Sequence, residues 1–390
     1  MKKVLIFSLV YYPRFIGGAE VTIKEVTDRI HQNDVEFDMI TLRLDKRLPK
    51  FERVGNVNVY RVGWACAQKT SSDSLPWYLH LNKYFLLIFG PLKALSLHRT
   101  RKYDTVWSLM ATYNTFAALF FKLLRPEVRF VFTLQDGDPI SYIKRRALPL
   151  YPFFKMFFTK ADHIQAISKY LAKWARDMGA RCPVTVVPNA VDVELFSRRQ
   201  DVGVLENLIK QFDKKVGDIF IITTSRLVVK NAISDVVSAI ALLPESVKFL
   251  ILGQGYEEPK LRNQVKELKL EDRVKFLGYI PHVEMPKYLQ ISDIFIRPSL
   301  SEGLGNSFLE AMSAGLPIIG TPVGGILDFL VDRETGLFCE VANPKSIAEK
   351  VTTLITDINL RNNIIKKGKE LVEKHYRWEM VAEKMKKILE

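Results

Sequence analysis

Residues 293–317 place three local patterns in direct succession, and together they limit what this chain can fold into. An apolar run, D-I-F-I-R-P at 293–298, is typical of a short buried strand, and residues 308–314 carry small and apolar side chains at helical spacing. A glycine-rich turn lies between the two. A strand, a Gly-x-Gly turn and a helix start present free backbone N–H groups and the positive end of a helix dipole to an anion.

Two carboxylates, Glu302 and Glu310, lie eight residues apart across this turn. A carboxylate only accepts hydrogen bonds and a vicinal diol offers two, so the pair suits sugar hydroxyls, while the helix start suits phosphate. The block therefore predicts a nucleotide-sugar site. A purely structural interpretation stays open, because Ser307 and Glu310 also match a capping box and Gly303 and Gly305 also match ordinary turn residues.

Six further motifs follow one another along the chain. They are S-L-V-Y-Y-P-R-F-I-G-G-A-E (8–20), T-L-Q-D-G-D-P (133–139), A-I-S-K-Y-L (166–171), V-V-P-N-A-V-D (186–192), S-R-L-V-V-K-N (225–231) and T-P-V-G-G (321–325). With the block at 299–317, this series resembles the retaining glycosyltransferases of family 4 over nearly the whole chain. The resemblance implies an α/β protein of the GT-B fold, with two Rossmann-like domains whose parallel sheets face a central cleft.

Alternating apolar runs and helical patterns in both halves also predict parallel sheets covered by helices. Strand-like runs lie at 3–10, 36–42, 57–62, 105–109, 129–134, 218–224, 247–252, 274–277, 294–297 and 317–320. A chain of 390 residues exceeds what one hydrophobic core usually serves. We predict an N-terminal acceptor-binding domain (1–190), a C-terminal nucleotide-sugar-binding domain (191–370) and a C-terminal helix (371–390). The resemblance implies that this helix crosses back to the first domain.

The resemblance also implies which residues bind the donor. Arg226 and Lys230 would bind the diphosphate, although the family spacing places lysine at position 231, where this chain has Asn. Glu302 would bind hexose hydroxyls, and Glu310 would bind the ribose diol. The other donor-binding positions are Gly17, Gly18, Gly253, Gly278, Tyr279, Ile280, Gly303, Leu304, Gly305, Asn306 and Ser307. Taken one at a time, the glycines are equally well explained as turn residues.

The residues that would face the acceptor depart from the family pattern. Many members have His where this chain has Gln135, and a glutamine donates a hydrogen bond but does not titrate. Gln135 and Asp138 are the predicted acceptor-binding residues, and Asp136 is the candidate general base. A surface turn explains the two aspartates equally well. The six histidines fall in no recognisable motif and are expected to be packing or surface residues.

We predict transfer of a hexose from a nucleoside-diphosphate sugar to a hydroxyl of a lipid-linked or polysaccharide acceptor in envelope glycan synthesis. The resemblance implies retention at the anomeric carbon. The catalytic residues would be Arg226, Lys230, Glu302 and Asp136. The cations and the helix N-terminus would stabilise the departing diphosphate. The sequence contains no Asp-x-Asp after a strand of the second half and no Cys or His at metal-ligand spacing. We therefore expect no metal or other cofactor besides the donor, a UDP-sugar or GDP-mannose.

The net charge of +14 lies entirely in the first half. Residues 1–190 hold 29 Lys and Arg against 15 Asp and Glu, and the remainder is balanced. We expect this half to bind an anionic partner, and we favour an anionic membrane surface over nucleic acid. Two aromatic stretches, Leu75–Leu97 and Leu148–Phe158, adjoin basic clusters. Such stretches are typical of a membrane interface and equally of helices buried against a sheet.

The location in the cell is predicted from what the sequence lacks. No apolar run reaches the ~20 residues that span a bilayer, and the N-terminus leads straight into a strand pattern. The three cysteines, Cys66, Cys182 and Cys339, are far apart and odd in number, which indicates reduced thiols. We expect a cytoplasmic protein that attaches peripherally to the inner face of the cytoplasmic membrane.

Three other functions remain open. A nucleotide-sugar 2-epimerase would share the fold but would need no acceptor. A catalytically degenerate protein would bind the nucleotide sugar without turnover, and Gln135 together with the shifted Lys230 keeps this interpretation open. A non-enzymatic module would bind lipid or nucleic acid through the basic half, but it leaves the carboxylate pair and the ordered glycine loops unexplained.

Overall fold

The computed structural model describes residues 1–14, 17–65 and 81–390. Within them the chain divides into two units, one formed by Met1–Asn189 with Trp378–Glu390 and the other by Ala190–Arg377. The second unit extends beyond residue 370, the limit expected from the sequence, because its last helix continues to His375. The final helix is correspondingly shorter than the segment 371–390.

The first unit is built on one sheet. Its strands are β1 (Lys2–Phe7), β2 (Val35–Leu42), β3 (Phe51–Val54), β4 (Val57–Val62), β5 (Thr105–Leu109), β6 (Arg129–Leu134), β7 (His163–Ala166) and β8 (Val184–Val186). Their order is β3-β4-β2-β1-β5-β6-β7-β8, and neighbouring strands are parallel except for β3 and β4. Val4 of β1 pairs with Phe37 on one side and Thr105 on the other. β1 is therefore central, and its apolar run is fully buried.

Helices connect most of these strands. They are α1 (Gly18–Arg29), α2 (Asn82–Arg101), α3 (Tyr113–Leu124), α4 (Ile140–Ala147), α5 (Tyr151–Thr159) and α6 (Lys169–Asp177). In α1 the buried apolar side chains are Ala19, Ile23 and Val26, which recur at the spacing of one helix face. That pattern is readable in the sequence.

The second unit contains a fully parallel six-stranded sheet. Its strands are β9 (Ile219–Thr224), β10 (Val247–Leu252), β11 (Val274–Gly278), β12 (Ile294–Arg297), β13 (Ile318–Gly320) and β14 (Leu337–Phe338), in the order β11-β10-β9-β12-β13-β14. Its helices are α7 (Val193–Ser197), α8 (Val202–Gln211), α9 (Ile233–Ile240), α10 (Glu258–Glu267), α11 (Met285–Gln290), α12 (Asn306–Ala314), α13 (Pro344–Thr356) and α14 (Ile358–His375). The core includes Ile221, Val236, Phe249, Ile296 and Val351.

The last helix, α15 (Trp378–Leu389), belongs to the first unit. Its buried side chains are Trp378, Val381, Ala382, Met385, Ile388 and Leu389. Lys386 Nζ lies 2.8 Å from a carboxylate oxygen of Asp34, and the carbonyl of Leu389 accepts a hydrogen bond from Thr105 Oγ1 at 3.1 Å. The apolar face of α15 thus completes the core of a unit whose other residues lie far away in sequence.

The structure changes two expectations about local elements. β1 ends at Phe7 rather than Val10; beyond it the N–H of Ser8 still donates to the carbonyl of Ile40 at 3.2 Å, while Ser8 Oγ donates to the carbonyl of Val10 at 2.8 Å. The described parts of the aromatic stretches are helices with one buried and one exposed side, so burial against the sheet accounts for only part of each; residues 75–80 lie outside the described part. No helix in that part is both long and apolar enough to span a bilayer.

Candidate active site

Four loops at the carboxyl ends of β9–β12 carry the predicted donor residues of the second unit. Arg226 follows β9, Gly253 follows β10, Tyr279 follows β11 and Glu302 follows β12. The order of the strands reverses between β9 and β12, so Arg226 and Glu302 lie on loops at a topological switch point. Doubly wound sheets bind ligands at this position.

Glu302 is held by Arg297, the last residue of β12. Arg297 Nη2 donates to Glu302 Oε2 at 2.5 Å, Nη1 donates to Ser307 Oγ at 2.8 Å, and the guanidinium lies 4.9 Å from the ring centroid of Phe308. The side chains of Arg297 and Glu302 are only 9% and 13% exposed. Arg297 therefore positions Glu302 against the first turn of α12. Arg297 was not among the site residues predicted from the sequence, although an arginine that ends an apolar strand was a visible signal.

The glycines around Glu302 are required by close backbone contacts. Gly305 has a φ of 101° and caps α12, and a Cβ there would lie 2.8 Å from the ring of Phe308. A Cβ on Gly324 or Gly325 would lie 2.0 Å from the backbone oxygen of Glu302 or Gly303. The T-P-V-G-G motif thus packs directly on the loop that carries Glu302.

The capping-box interpretation of Ser307 and Glu310 is wrong. α12 begins at Asn306 with Gly305 as its cap, so Ser307 lies inside the helix, where its hydroxyl contacts Arg297. Glu310 instead contacts His282, with Oε1 lying 3.0 Å from Nε2. The His282 ring packs edge-on against Phe196 with a centroid distance of 5.1 Å.

His282 is a second residue that sequence reasoning missed as part of this site. It was expected to be a packing or surface residue, and its side chain is indeed half-exposed. Its position shortly after Gly278, Tyr279 and Ile280 was the only signal in the sequence. The contact with Glu310 joins the loop after β11 to α12.

The loop that carries Arg226 and Lys230 is held by hydrogen bonds to its backbone carbonyls. The side-chain Nδ2 of Asn231 donates to the carbonyl of Arg226 at 2.7 Å, and the backbone N–H of Leu300 donates to the carbonyl of Lys230 at 2.7 Å. Arg226 is exposed, whereas Asn231 is buried. Position 231, where the family pattern has lysine, therefore serves to hold this loop.

Several buried polar side-chain atoms near this edge have no hydrogen-bond partner among the described residues. They include Thr224 Oγ1, Ser225 Oγ, Arg297 Nε and Ser299 Oγ, which lie at or just after the ends of β9 and β12. A buried polar group left unpaired costs about 1–3 kcal/mol. The edge is thus suited to hydrogen bonding with a polar ligand.

Gly17 and Gly18 begin α1 in the first unit. The N–H of Gly17 donates to Glu20 Oε2 at 2.8 Å, and a Cβ on Gly18 would meet no atom of the described residues within 4 Å. Burial raises the pKa of Glu20, and the hydrogen bond from Gly17 opposes that rise. Thr22 Oγ1 donates to Asn189 Oδ1 at 3.1 Å, which connects α1 to the P-N-A-V-D motif.

The residues after β6 do not form a simple surface turn. Asp136 is buried, and its two carboxylate oxygens lie 3.2 and 3.1 Å from the N–H of Ala111, which donates to them. Gln135 Oε1 is buried without a hydrogen-bond partner in the described part of the chain. Asp136 and Asp138 both line a cavity in the first unit. The surface-turn interpretation is therefore wrong for Asp136.

The sequence predicted reduced cysteines and no metal site. Cys182 and Cys339 are free thiols, while Cys66 lies outside the described residues. Across 1–14, 17–65 and 81–390, no three His, Cys, Asp or Glu side chains are grouped so that they could hold a metal ion.

Comparisons with known proteins cover both units. Residues 16–195 match the family model Glycosyltransferase Family 4, and residues 205–371 match Glycosyl transferases group 1. Over 226 residues the chain is 31% identical to N-acetyl-alpha-D-glucosaminyl L-malate synthase of Bacillus anthracis, a match that spans 57% of this chain and 58% of that protein.

Two solved structures resemble the whole chain. Sucrose-phosphate synthase of Thermosynechococcus elongatus superposes with a TM-score of 0.84 at 18% identity, covering 100% of this chain and 98% of its own. The Anabaena protein HepE in complex with UDP-glucose has a TM-score of 0.76 at 18% identity, with coverage of 100% and 99%. The two parallel-sheet units have the GT-B fold. The chain is therefore a member of the family 4, group 1 glycosyltransferases.

Proposed function

We propose that this glycosyltransferase is a retaining hexosyltransferase, which moves a hexose from a nucleoside-diphosphate sugar to a hydroxyl of a lipid-linked or polysaccharide acceptor in envelope glycan synthesis. One observation carries the proposal. The Arg297–Glu302 pair, the N-terminus of α12 and the loop of Arg226 and Lys230 all lie at the carboxyl edge of the second sheet.

Each group at this edge has a role in donor binding. Arg226 donates two parallel N–H hydrogen bonds to the diphosphate, and Lys230 contributes a positive charge. The backbone N–H groups of 303–307 lie at the helix start, where they bind phosphate and sugar oxygens. Glu302 accepts hydrogen bonds from hexose hydroxyls, Glu310 accepts them from the ribose diol, and the backbone of 278–280 holds the base.

The reaction breaks the bond between the anomeric carbon and the diphosphate oxygen and forms a bond to the acceptor oxygen on the same face. Arg226, Lys230 and the helix dipole stabilise the departing diphosphate, so the step proceeds without a metal. Asp136 and the leaving phosphate are the candidates that receive the acceptor proton. Gln135 and Asp138 position the acceptor. An α-linked donor then yields an α-linked product at an unchanged rate in EDTA, and a β-linked product would overturn the proposal.

The same proposal includes peripheral attachment to an anionic membrane from the cytoplasmic side. Ile88 and Leu92, one turn apart on α2, are 59% and 56% exposed, and Phe89 is exposed beside them. Basic side chains cluster at Lys144, Arg145 and Arg146. Exposed apolar and basic side chains together suit an anionic bilayer surface.

A sedimentation assay at low salt tests membrane attachment. We expect the protein to pellet with phosphatidylglycerol vesicles and to remain in the supernatant with phosphatidylcholine vesicles. Ile88→Asp with Leu92→Asp should abolish pelleting, whereas Leu268→Asp on the second unit should not. Equal recovery with both vesicle types would refute attachment through charge.

The donor site is tested by thermal unfolding with UDP, GDP and ADP. A ligand at a hundred times its dissociation constant stabilises the native state by about 2.7 kcal/mol, which raises the melting temperature measurably. One nucleotide should stabilise the wild type but not Glu310→Ala. Glu267→Ala removes an exposed carboxylate at the end of α10 and should keep the response. An unchanged response in Glu310→Ala would refute the role of Glu310.

A further inference from the structure

A cavity of about 200 Å³ lies in the first unit, at the carboxyl edge of its sheet. Asp136 and Asp138, which follow β6, line one part of it, and Tyr113 of α3 lines another. β1 and β5 meet at the switch point of this sheet, and the cavity includes residues that follow β5. It therefore occupies a position where doubly wound sheets bind ligands.

The polar part of the cavity suits a head group that carries hydroxyls. Asp136 is buried and held by the N–H of Ala111, which fixes the direction of its carboxylate. Asp136 and Asp138 accept hydrogen bonds from hydroxyl groups, and the ring of Tyr113 provides a flat apolar surface. Carboxylates beside an aromatic ring are suited to a sugar.

One lining residue carries a positive charge. Arg146 of α4 contributes to the cavity wall and also stacks on Tyr142, with its guanidinium carbon 5.6 Å from the ring centroid. Burial and a side-chain interaction with Tyr84 raise the pKa of Tyr113, and the charge of Arg146 opposes that rise. Arg146 is exposed, so its charge lies where the cavity meets solvent. An exposed guanidinium at this point is suited to a phosphate.

The remaining wall is apolar and continues onto the exposed side of α2. Ile143 and Leu150 line the cavity, and Leu148, just before Leu150, is exposed. Tyr84 both lines the cavity and is exposed, and it lies one helical turn before Ile88. An apolar chain that leaves the cavity over Tyr84 thus reaches the surface formed by Ile88, Phe89 and Leu92.

We infer that this cavity binds the acceptor and that the acceptor is an amphiphile with three parts in sequence. A hydroxyl-bearing head lies at Asp136 and Asp138, a phosphate lies at Arg146, and an apolar chain runs along Leu150 and Tyr84 towards Ile88. The inference rests on the proposed glycosyl transfer and narrows its acceptor from any glycan or lipid-linked hydroxyl to a phosphate-linked glycolipid.

Calorimetric titration with three synthetic probes tests this inference at concentrations below micelle formation. Dodecyl glucosyl phosphate has all three parts, methyl glucosyl phosphate lacks the chain, and dodecyl glucoside lacks the phosphate. The complete probe should bind at least about tenfold more tightly than either partial probe, since a charge-assisted contact and a buried chain each contribute that much. Equal binding of the methyl and dodecyl phosphates would show a water-soluble acceptor and overturn the inference.

Two arginine variants locate the phosphate contact. Arg146→Gln should weaken binding of dodecyl glucosyl phosphate about tenfold and leave dodecyl glucoside unchanged. Arg145→Gln removes the same charge from the neighbouring position, which does not line the cavity, and should change neither affinity by more than about twofold. Equal losses in both variants would mean that general surface charge attracts the probe, against the inference.

Nucleotide stabilisation separates failure of this inference from failure of the proposed function. Arg146 is not among the residues proposed to bind the nucleotide, so Arg146→Gln should retain the thermal shift of the wild type. If the nucleotide stabilises the protein and no probe binds, only the amphiphilic acceptor is refuted. If no nucleotide stabilises the wild type, the proposed glycosyl transfer is itself refuted.

Discussion

Arg297 and Glu302 form a largely buried ion pair of 2.5 Å at the point where β12 passes into the glycine loop before α12. The same guanidinium bonds to Ser307 inside the helix. One side chain therefore ties the strand, the loop carboxylate and the helix together. Glu302 is the residue proposed to bind the hexose, and the direction of its carboxylate depends on Arg297.

Replacing Arg297 by Leu should destabilise the second unit by about 3 kcal/mol, because it leaves a carboxylate buried without its partner. Urea denaturation followed by circular dichroism measures the loss. Adding Glu302→Gln should recover part of it, since the uncompensated charge is then gone. Lys367→Leu, which breaks the exposed pair with Glu334, serves as control and should cost under about 1 kcal/mol. If both variants lose the same free energy of unfolding, the Arg297–Glu302 pair is not effectively buried.

Gly325→Ala should displace the loop that carries Glu302. The added Cβ would lie 2.0 Å from the backbone oxygen of Gly303, so one of the two segments must move. A displacement of about 1 Å in a positioning group lowers transfer on the order of a hundredfold. Steady-state kinetics with the donor identified by the nucleotide screen measures the effect. Wild-type kcat/KM in this variant would show that the contact of the two loops is not needed.

Gly18→Ala separates the functional from the structural interpretation of the first glycine motif. The new Cβ meets no atom within 4 Å and lies in the first turn of α1, so the protein should be unchanged or stabilised by about 0.4–1 kcal/mol. Transfer should nevertheless fall if a substrate approaches the backbone there. A variant that melts at or above the wild-type temperature and keeps full activity would assign Gly18 to the turn alone.

Deletion of residues 378–390 should prevent the first unit from folding. The helix buries six apolar side chains, whose loss removes on the order of 10 kcal/mol, comparable with the whole stability of a domain. Expression yield and circular dichroism of the truncated chain test this. Lys387→Ala, which alters an exposed side chain of the same helix, should fold normally. A soluble, folded truncation would show that α15 is dispensable.

Cys339 should resist alkylation in the folded protein. Its side chain is 2% exposed, and burial raises the pKa of the thiol to about 12, so little thiolate forms at pH 8. Burial also raises the pKa of the half-buried Cys182. Peptide mass spectrometry after iodoacetamide treatment should find Cys339 modified only in urea. Modification of the native protein at the rate of an exposed thiol would contradict its burial.

Local patterns in the sequence were sufficient for most strands, but the short strands β3, β7, β8 and β14 were not predicted. β9, β10 and β12 were predicted within one residue because apolar runs bounded by turn residues carry that information locally. Some motif glycines correspond to tight backbone positions, such as the left-handed conformation at Gly305, whereas Gly18 does not. The ordered series of motifs also indicated the family.

The sequence by itself thus determined the α/β class of the fold, because this follows from periodicity, and the resemblance of its motifs to a known family indicated which loops are expected to carry the chemistry. Only the tertiary structure decided which side chains meet. His282 reaches Glu310, Asn231 holds the carbonyl of Arg226, and Arg146 joins Asp136 at one cavity. Contacts between separate loops depend on strand order and on packing across the sheet edge, and no local pattern encodes those distances.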